Sequence, residues 1–402
     1  MHLSSHLRAG TQPASRRGKR WPRRIGRGLT AVLLALTLAA IPSPSQAAAS
    51  GSWPSQAAVS RMQAVMDAMV ADGTPGMYVE IRQGSRVLEL RSGRPNVNSE
   101  RAWTDRSRFR VASVTKTFTA AVIMQLVGEG RLRLSDSVER WLPGQLPYGR
   151  QITIRQLLNH TSGVPALDDL QFVAERFDEP GRRFTPQELL ARIDGKPLDF
   201  APGTASNYVN TGFVLLALIA ERVTGQPFAV ALRRRILAPL RLTDTSFDVD
   251  RSFPAPRVHG YGTKPGTTGP VQDVTRMNPS WAWGSGNVVS SSRDVTTFFR
   301  ALMKGTVVRQ PQLDQMRVVD PITIDDTGAG FGLGLESRPY TCANYGKNGS
   351  MPGYMTYVHS TADGRRQVLW AGNSLDWATV RGDPVLFFEG RAALGQLLCE
   401  GR

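Results

Sequence analysis

Strand-like stretches lie at both ends of this 402-residue chain, while its middle reads mainly as helices and long loops. The stretches with strand composition or alternation are 77–82, 86–91, 332–336, a run that begins at Lys347, 353–360 and 366–372. Strands from the two ends can share a sheet only if the chain returns to it after the helical section. The order therefore predicts an α/β (α+β) fold, with one antiparallel sheet formed from both chain ends, flanked by helices, and an inserted mainly helical region.

Apolar residues recur at helical spacing in several stretches, which predict helices over 55–72, 113–127, 210–224, the later part of 288–303, and 384–398. In the 288–303 stretch a strand is expected to continue as a helix, with Ser292 as its N-cap before Asp294.

The chain after its first 49 residues is expected to form one domain over 50–402. Its sheet region is predicted at about 55–117 and 281–402, and its helical region at about 118–280.

Residues 1–49 have the composition of an export signal. The first 28 residues hold eight basic side chains and no acidic one, and an apolar run of 13 residues and a small-residue segment follow. We predict a cleaved signal peptide over 1–49 and a secreted, extracytoplasmic protein. A retained anchor is the alternative, although 13 residues are short for a bilayer span. Paired arginines leave both the Sec and the twin-arginine route open.

Cleavage would lower the formal net charge from +16 to +8. A moderately basic protein suits work near anionic cell-envelope polymers, and the same charge also serves plain solubility.

The strongest chemical signal is the pair Ser113 and Lys116, which lie three residues apart at the start of an apolar helical run. One helical turn separates them, so both side chains share a face. A serine hydroxyl is a weak nucleophile until a base lies beside it, and a buried lysine with a lowered pKa can be that base. The alternative interpretation is a solvated helix lysine, because Ser-x-x-Lys alone is a weak pattern.

Two further motifs follow in order along the chain. Tyr208-Val-Asn210 is the only Tyr-x-Asn in the sequence, and Lys347-Asn348-Gly349 begins the strand-like run. Tyr208 and Asn210 could merely cap the helix that follows, since asparagine is a good N-cap.

With these three motifs the chain resembles the serine β-lactamase/transpeptidase superfamily. It is most similar to the branch that holds class C β-lactamases and the soluble secreted serine D-alanyl-D-alanine carboxypeptidases. The resemblance covers roughly residues 55–400, and the stretches that carry it are 109–116, 157–163, 201–211, 239–245 and 345–349.

The resemblance implies catalysis through an acyl-enzyme. Ser113 would attack the carbonyl carbon, and Lys116 and Tyr208 would share proton transfer, with the identity of the base left open. The backbone N–H groups of Ser113 and Ser350 would form the oxyanion hole. The residues implied to bind substrate are Asn210, Trp281, Lys347, Asn348, Gly349 and Ser350. Tyr354 is a second aromatic candidate, and both aromatic residues could instead belong to the core.

Two residues depart from the carboxypeptidase pattern. Asn348 stands where the pattern has a threonine whose hydroxyl binds the substrate carboxylate, and Glu336 stands where it has an arginine. Arg338 is near but out of register. Lys347 matches class C β-lactamases, whereas the most similar carboxypeptidases have histidine. Weak carboxylate recognition would favour an esterase, an amidase or an aminopeptidase for D-residues.

We therefore expect a secreted serine hydrolase, in the first place a penicillin-binding D-alanyl-D-alanine carboxypeptidase acting on peptidoglycan-type peptides. The alternatives are a class C-type β-lactamase, an esterase or D-amino-acid amidase of the same fold, and a non-enzymatic penicillin-binding sensor domain. His160 is interpreted as a structural loop residue, because no Gly-x-Ser-x-Gly elbow accompanies it.

The two cysteines suggest one disulfide, since an exported chain with an even number usually pairs them. The secreted carboxypeptidase pattern also has a pair at these places. A Cys342–Cys399 bond would close a 57-residue loop, tie the C-terminal helix to the sheet and contribute about 3–4 kcal/mol.

The expected partner is a small peptide, β-lactam or ester substrate, with cell-wall peptidoglycan as a further one. No metal or other cofactor is expected, because the cysteines lack metal-site spacing and the five histidines are scattered. Nucleic acid is not expected, because the chain has no basic stripe interleaved with aromatic residues. After cleavage we expect no stable membrane insertion, and we expect a monomer.

Overall fold

The structure is a computed structural model that describes residues 52–250, 253–374 and 384–401. The strands are β1 (Gly76–Gln83), β2 (Arg86–Gly93), β3 (Phe109–Arg110), β4 (Ser246–Phe247), β5 (Tyr261–Gly262), β6 (Gln272–Asp273), β7 (Val288–Ser290), β8 (Gly330–Phe331), β9 (Glu336–Ser337), β10 (Asn344–Met351), β11 (Tyr354–Thr361) and β12 (Arg366–Gly372).

The α-helices are α1 (Gln56–Ala71), α2 (Thr115–Gly128), α3 (Val138–Trp141), α4 (Ile154–Leu158), α5 (Leu170–Asp178), α6 (Pro186–Ala191), α7 (Thr211–Thr224), α8 (Phe228–Leu232), α9 (Ser292–Met303), α10 (Gln310–Arg317) and α11 (Pro384–Cys399). Short 3-10 turns cover Ala112–Val114, Pro279–Ala282 and Pro321–Thr323, and a π-helical turn, Arg233–Leu237, continues α8. The predicted signal peptide lies outside the described residues.

The main sheet has seven antiparallel strands in the order β2-β1-β12-β11-β10-β9-β8. Strand β1, from the start of the chain, pairs with β12 from its end, with Tyr78 opposite Ala371. Between them in the sequence lie α2 to α8, which supply most of the helical region. The prediction of one sheet from both chain ends is therefore confirmed.

Alternate residues of the central strands face two separate cores, as the period of two in a strand requires. Val79 and Trp370 belong to the core under α1 and α11, whereas Tyr78 and Leu369 belong to the larger core with α2, α7 and α9. The helices α1 and α11 pack on each other. The start of α1 is further fixed by Ser55, whose backbone N–H donates to the Glu400 carboxylate at 2.7 Å.

Of the segment predicted as one strand over 332–336, residues 332–335 form a turn and only Glu336 belongs to a strand, so this prediction is wrong for 332–335. It lies between β8 and β9, and Gly334 has a φ of +75° there, a left-handed conformation that favours glycine. A Cβ at Gly334 would lie 2.1 Å from the Ala120 Cβ of α2. The Thr117 hydroxyl donates to the Gly334 carbonyl at 2.8 Å, so the turn is held on α2 rather than paired in the sheet.

The N-cap of α9 is Ser291, so the prediction of Ser292 is wrong by one residue. Ser291 has extended backbone angles, and its hydroxyl accepts from the Asp294 N–H at 3.3 Å. Ser292 is already helical, and its hydroxyl donates to the Asp105 carbonyl instead.

The predicted disulfide is present between Cys342 and Cys399, so the end of α11 is tied to the segment that leads into β10. Among the described helices, none alone is both long and apolar enough to cross a membrane. Helix α7 and the Phe228–Leu237 helix, which lie at 77° to each other across a short break, meet that criterion jointly, by length and composition only.

Candidate active site

Ser113 lies on the 3-10 turn Ala112–Val114, directly before α2, with its side chain partly exposed. Ala112, the preceding residue, has a φ of +48°, a left-handed conformation that is strained for a residue with a Cβ. Lys116 follows in the first turn of α2, and its Nζ donates to Ser113 Oγ at 3.1 Å. The predicted pairing of these two side chains is therefore present.

Lys116 is fully buried, which excludes the alternative of a solvated helix lysine. Its Nζ also donates to Asn210 Oδ1 at 2.5 Å and to the Ser285 carbonyl at 3.1 Å, so all three ammonium N–H groups have acceptors. Burial lowers the pKa of Lys116, and the charge of Lys347 lowers it further, while Tyr208 acts in the opposite direction. A lysine with a lowered pKa, in contact with a serine hydroxyl, can accept its proton.

Tyr208 lies between two cations. The Nζ atoms of Lys116 and Lys347 are each 4.8 Å from the centre of its ring. Burial acts to raise the pKa of the Tyr208 phenol, but the two lysine charges outweigh it and the net direction is down. Because the side chain is also 38% exposed, the phenol remains accessible to a substrate.

Asn210 occupies the N-cap position of α7 but makes no side-chain capping hydrogen bond. Its Oδ1 accepts from Lys116, and its Nδ2 donates to Asp168 Oδ2 at 2.6 Å. The interpretation of Asn210 as a mere helix cap is therefore wrong, because its side chain contacts Lys116 and Asp168 and makes no capping hydrogen bond.

His160 packs against the ring of Tyr208. Its ring centre is 4.3 Å from that of Tyr208, and it also packs on Phe213 and Phe331 at 5.3 and 5.1 Å. Burial, together with Lys116 and Lys347, holds the pKa of His160 well below its usual value, so the imidazole is neutral. The histidine is buried under the phenol, as expected for a residue of structural role.

The third motif lies on β10, which runs beside the Ser113 turn. A Cβ at Gly349 would lie 2.3 Å from the Val111 carbonyl oxygen and 2.8 Å from the Ser113 backbone nitrogen. Only glycine permits this close approach, because any side chain would push β10 away from the nucleophile. Ser350 follows on the strand and lines the space next to Ser113.

Lys347 is buried and does not stand free. Its Nζ donates to Glu336 Oε2 at 3.2 Å and to Asn348 Oδ1 at 2.8 Å. Glu336 also forms an ion pair with Arg338, so one carboxylate serves two cations. Burial acts to raise the pKa of Glu336, but Lys347 and Arg338 outweigh it, and the net direction is down.

Two cavities meet at Ser113, Tyr208 and Ser350. The first, which we call the Trp281 cavity, has a volume of about 220 Å³ and is also lined by Ala166, Asp168, Asn210, Trp281 and Met351. The second, the Glu336 cavity, has a volume of about 260 Å³ and is also lined by Asp325, Phe331, Glu336, Arg338 and Asn348.

The structure separates the two aromatic candidates. Trp281 lies on the 3-10 turn Pro279–Ala282 and lines the cavity named after it. Tyr354 is 1% exposed, and its hydroxyl donates to the Val258 carbonyl at 3.0 Å. Tyr354 is therefore a core residue, and its candidacy for the pocket is wrong.

Sequence reasoning missed two groups at the site. Asp168 lies in a loop between α4 and α5 with no motif around it, and Ser285 contributes only a backbone carbonyl. No pattern marks either group, since their positions follow from how the loops pack around Lys116. Within the described residues, no group of three or more histidine, cysteine, aspartate or glutamate side chains could hold a metal ion.

A family model described as Beta-lactamase matches residues 62–384. The chain belongs to the beta-lactamase family. It is similar to a D-stereospecific amidohydrolase from Streptomyces sp., with 36% identity and a TM-score of 0.74 over 82% of this chain and 97% of that one. A D-amino acid amidase from Ochrobactrum anthropi SV3, complexed with L-phenylalanine amide, gives 26% identity and a TM-score of 0.72, over 85% and 97%.

Penicillin-binding protein 4* from Bacillus subtilis (strain 168) is 29% identical over 310 residues. The match covers 72% of this chain and 66% of that relative, just under two thirds of its length. The proteins similar to this member of the beta-lactamase family thus include a penicillin-binding protein, an amidohydrolase and an amidase.

Proposed function

We propose that this chain hydrolyses small acyl compounds through an acyl-enzyme on Ser113. The observation that carries the proposal is the 3.1 Å contact between Ser113 Oγ and Lys116 Nζ, in a site where that lysine is buried and its pKa lowered. A nucleophile within hydrogen-bond reach of a base, next to a cavity, is the arrangement that acyl transfer needs.

In the proposed reaction, Ser113 Oγ attacks the substrate carbonyl carbon and its proton passes to the Lys116–Tyr208 pair. The N–H groups of Ser113 and Ser350 stabilise the oxyanion, and each such donor is typically worth about 3–4 kcal/mol in the transition state. The pair then gives this proton to the leaving group as its bond to the acyl carbon breaks. A water molecule next attacks the acyl-enzyme, and its proton passes through the same pair to Ser113 Oγ as the ester bond breaks and the acid product leaves. Because Lys116 and Tyr208 lie close together, the protonation of one affects that of the other, and a pH profile reports on both groups together.

For the substrate, we propose D-aminoacyl amides or short peptides with a free α-amino group. The acyl part would occupy the Trp281 cavity, where Asn210 can hydrogen-bond an amide and Asp168 presents a carboxylate. Burial raises the pKa of Asp168, and Asn210 and Lys116 oppose this effect. A substrate ammonium group would stabilise the ionised carboxylate, because a nearby opposite charge favours the charged form. The D-configuration rests on similarity to the D-stereospecific amidohydrolase.

The second candidate is the penicillin-binding D-alanyl-D-alanine carboxypeptidase expected from the sequence. The similarity to penicillin-binding protein 4* favours it. Export through the 1–49 signal, followed by work at the cell envelope, remains a proposal that N-terminal sequencing of secreted protein would test.

Intact-mass measurement and turnover distinguish these candidates. Wild-type protein and Ser113→Ala are incubated with D- and L-phenylalanine amide, a D-Ala-D-Ala peptide and a reporter β-lactam. We expect turnover of the D-amide by wild type only, and any covalent adduct on wild type only. Fast turnover of the D-Ala-D-Ala peptide without amide turnover would establish the carboxypeptidase instead. An adduct on Ser113→Ala would refute the proposed nucleophile.

A further inference from the structure

Arg338 is a buried cation with hydrogen-bond donors to spare. Its side chain is 6% exposed and forms an ion pair with Glu336. Its Nε and Nη1 atoms have no hydrogen-bond partner within the part of the chain that the structure describes. Leaving a buried donor without an acceptor costs free energy, and the cost is larger for a charged group. These two donors are therefore free for an acceptor that a ligand brings.

The charges around Arg338 do not cancel. Lys347 Nζ lies 3.2 Å from Glu336 Oε2, and Arg338 pairs with the same carboxylate. The two cations keep the pKa of Glu336 down, so the carboxylate is ionised. One carboxylate thus faces two cations, and the buried cluster keeps a net positive charge. Opposite charge is what stabilises such a group away from water, so the cluster favours an anion.

The backbone and the packing hold Arg338 in place. It directly follows β9, and its carbonyl accepts from Asn344 Nδ2 at 3.0 Å and from the Tyr340 N–H at 2.7 Å. Its guanidinium carbon lies 5.7 Å from the centre of the Tyr357 ring. Because the side chain is already ordered, binding an anion there costs little further conformational entropy.

This arginine lies on the leaving-group side of the nucleophile. Arg338 lines the Glu336 cavity, which it shares with Ser113. The proposed function assigns the other cavity, with Asp168, to the acyl part of the substrate. The Glu336 cavity is then the space for the leaving group. Its volume of about 260 Å³ is below the usual range for drug-sized ligands, so it suits one small residue.

Asp325 also lines the Glu336 cavity, but its carboxylate serves its own turn. Its Oδ1 accepts from the Thr327 N–H and hydroxyl at 2.8 and 2.6 Å and from the Ala329 N–H at 3.1 Å. Asp325 is exposed, and water and salt screen exposed charges much more than buried ones. The buried cations therefore act on a ligand in this cavity more strongly than Asp325 does.

We propose that Arg338 binds a carboxylate on the leaving group, and that the enzyme hydrolyses dipeptides whose ammonium group lies at Asp168 and whose carboxylate lies at Arg338. The inference rests on the proposed function and adds the leaving group, a single amino acid with a free carboxylate. Charges of opposite sign on the two sides of Ser113 orient such a zwitterion in one direction, and charge-assisted hydrogen bonds are the strong ones. One water molecule is consumed, and two free amino acids are released.

The test measures the release of phenylalanine from D-phenylalanyl-D-alanine and from D-phenylalanyl-D-alanine amide, which share the scissile bond and differ in the terminal charge. We expect wild type to prefer the free acid. Arg338→Gln should lower the acid-to-amide ratio of kcat/KM by about tenfold or more, because a hydrogen bond between charged groups is lost. The matched control is Arg150→Gln, which removes a guanidinium that is 86% exposed. Its ratio should stay that of wild type.

A second variant and a longer substrate sharpen the test. Arg338→Gln leaves Glu336 paired with Lys347, so no buried charge loses its only partner. Arg338→Lys keeps the charge with different donors, and its ratio should lie between those of wild type and Arg338→Gln. D-Phenylalanyl-D-alanyl-D-alanine has its carboxylate one residue further away, so Arg338→Gln should affect its cleavage less. If neither variant folds, the wild-type ratio decides, since the proposal requires preference for the acid.

The outcomes separate the two proposals. Wild-type preference for the dipeptide amide, or an unchanged ratio in folded Arg338→Gln, overturns the role of Arg338 while the chemistry of Ser113 stands. Cleavage of D-phenylalanine amide but of neither dipeptide has the same meaning. If wild type turns over neither dipeptide, nor any amide, and forms no adduct on Ser113, the proposed function itself is wrong.

Discussion

Replacing Asp168 by asparagine should remove the recognition of a substrate α-ammonium while leaving the catalytic groups in place. Asp168 Oδ2 accepts from Asn210 Nδ2 at 2.6 Å, and the side-chain oxygen of an asparagine can accept the same hydrogen bond. Asn210 therefore keeps its position against Lys116, to which it is held at 2.5 Å. What disappears is one negative charge at the wall of the Trp281 cavity.

The size of the effect follows from the half-buried position of that charge. A charge pair at about 4 Å contributes roughly 4 kcal/mol at an effective dielectric constant near 20. Desolvation of the two ions offsets part of this, and hydrogen bonds to charged groups are worth about 1.5–3 kcal/mol net. We take about 2 kcal/mol as the net interaction free energy between Asp168 and the substrate ammonium group. Its loss corresponds to a decrease of roughly 30-fold in kcat/KM.

The assay measures kcat/KM for D-phenylalanine amide and for its N-acetyl derivative, with wild type and with Asp168→Asn. The free amine should lose about 30-fold, and the acetylated compound, which has no charge to recognise, should change by less than about threefold. The reasoning is refuted if both substrates lose activity equally, because Asp168 would then act only through Asn210 and Lys116. The negative charge of Asp168 also raises the pKa of Lys116, so the acid limb of the pH profile should move to lower pH in the variant.

Two predictions concern stability. Replacing both Cys342 and Cys399 by serine should lower the free energy of unfolding by about 3–4 kcal/mol, because the disulfide closes a 57-residue loop. Thermal unfolding measures this loss, and an unchanged midpoint temperature would contradict the prediction. His359 is fully buried, and burial lowers its pKa to about 3. The neutral imidazole therefore contributes its full share to the free energy of unfolding above about pH 6.5, and this share is lost as pH falls towards 3. Between pH 7 and 4.5 wild type should lose about 2–3 kcal/mol more than His359→Gln in urea unfolding, and equal losses would count against this origin of acid sensitivity.

The fold could be predicted from the order of elements, because strands at both chain ends leave few other ways to complete a sheet. Local patterns were less informative where tertiary contacts decide. The 332–336 segment has strand-like composition, yet Gly334 and its contact with Thr117 of α2 make residues 332–335 a turn. The N-cap of α9 was predicted at Ser292, but the backbone angles place it at the preceding residue, Ser291.

The proposed reacting groups could be identified from the sequence because they lie within short sequence motifs. Ser113 and Lys116 need only one helical turn to meet, and Tyr208 and Asn210 stand together at the start of α7. Asp168 could not be identified, because its place beside Asn210 depends on loops that carry no periodic signal. The sequence did show that Glu336 departs from the carboxypeptidase pattern, but its contact with Lys347 required the pairing of β9 with β10.

That contact also changes what Lys347 can do. The Lys347 Nζ donates hydrogen bonds to Glu336 and Asn348, and it also lies 4.8 Å from the centre of the Tyr208 ring. Its charge acts on the phenol together with that of Lys116, and together they lower the pKa of Tyr208 although desolvation acts to raise it. A phenol of lowered pKa delivers its proton to a leaving group more readily at neutral pH. An amine or ammonia, unlike a stabilised carboxylate or phenolate, must be protonated as it departs. Through its charge on Tyr208, Lys347 would thus support proton delivery to a departing amine or ammonia.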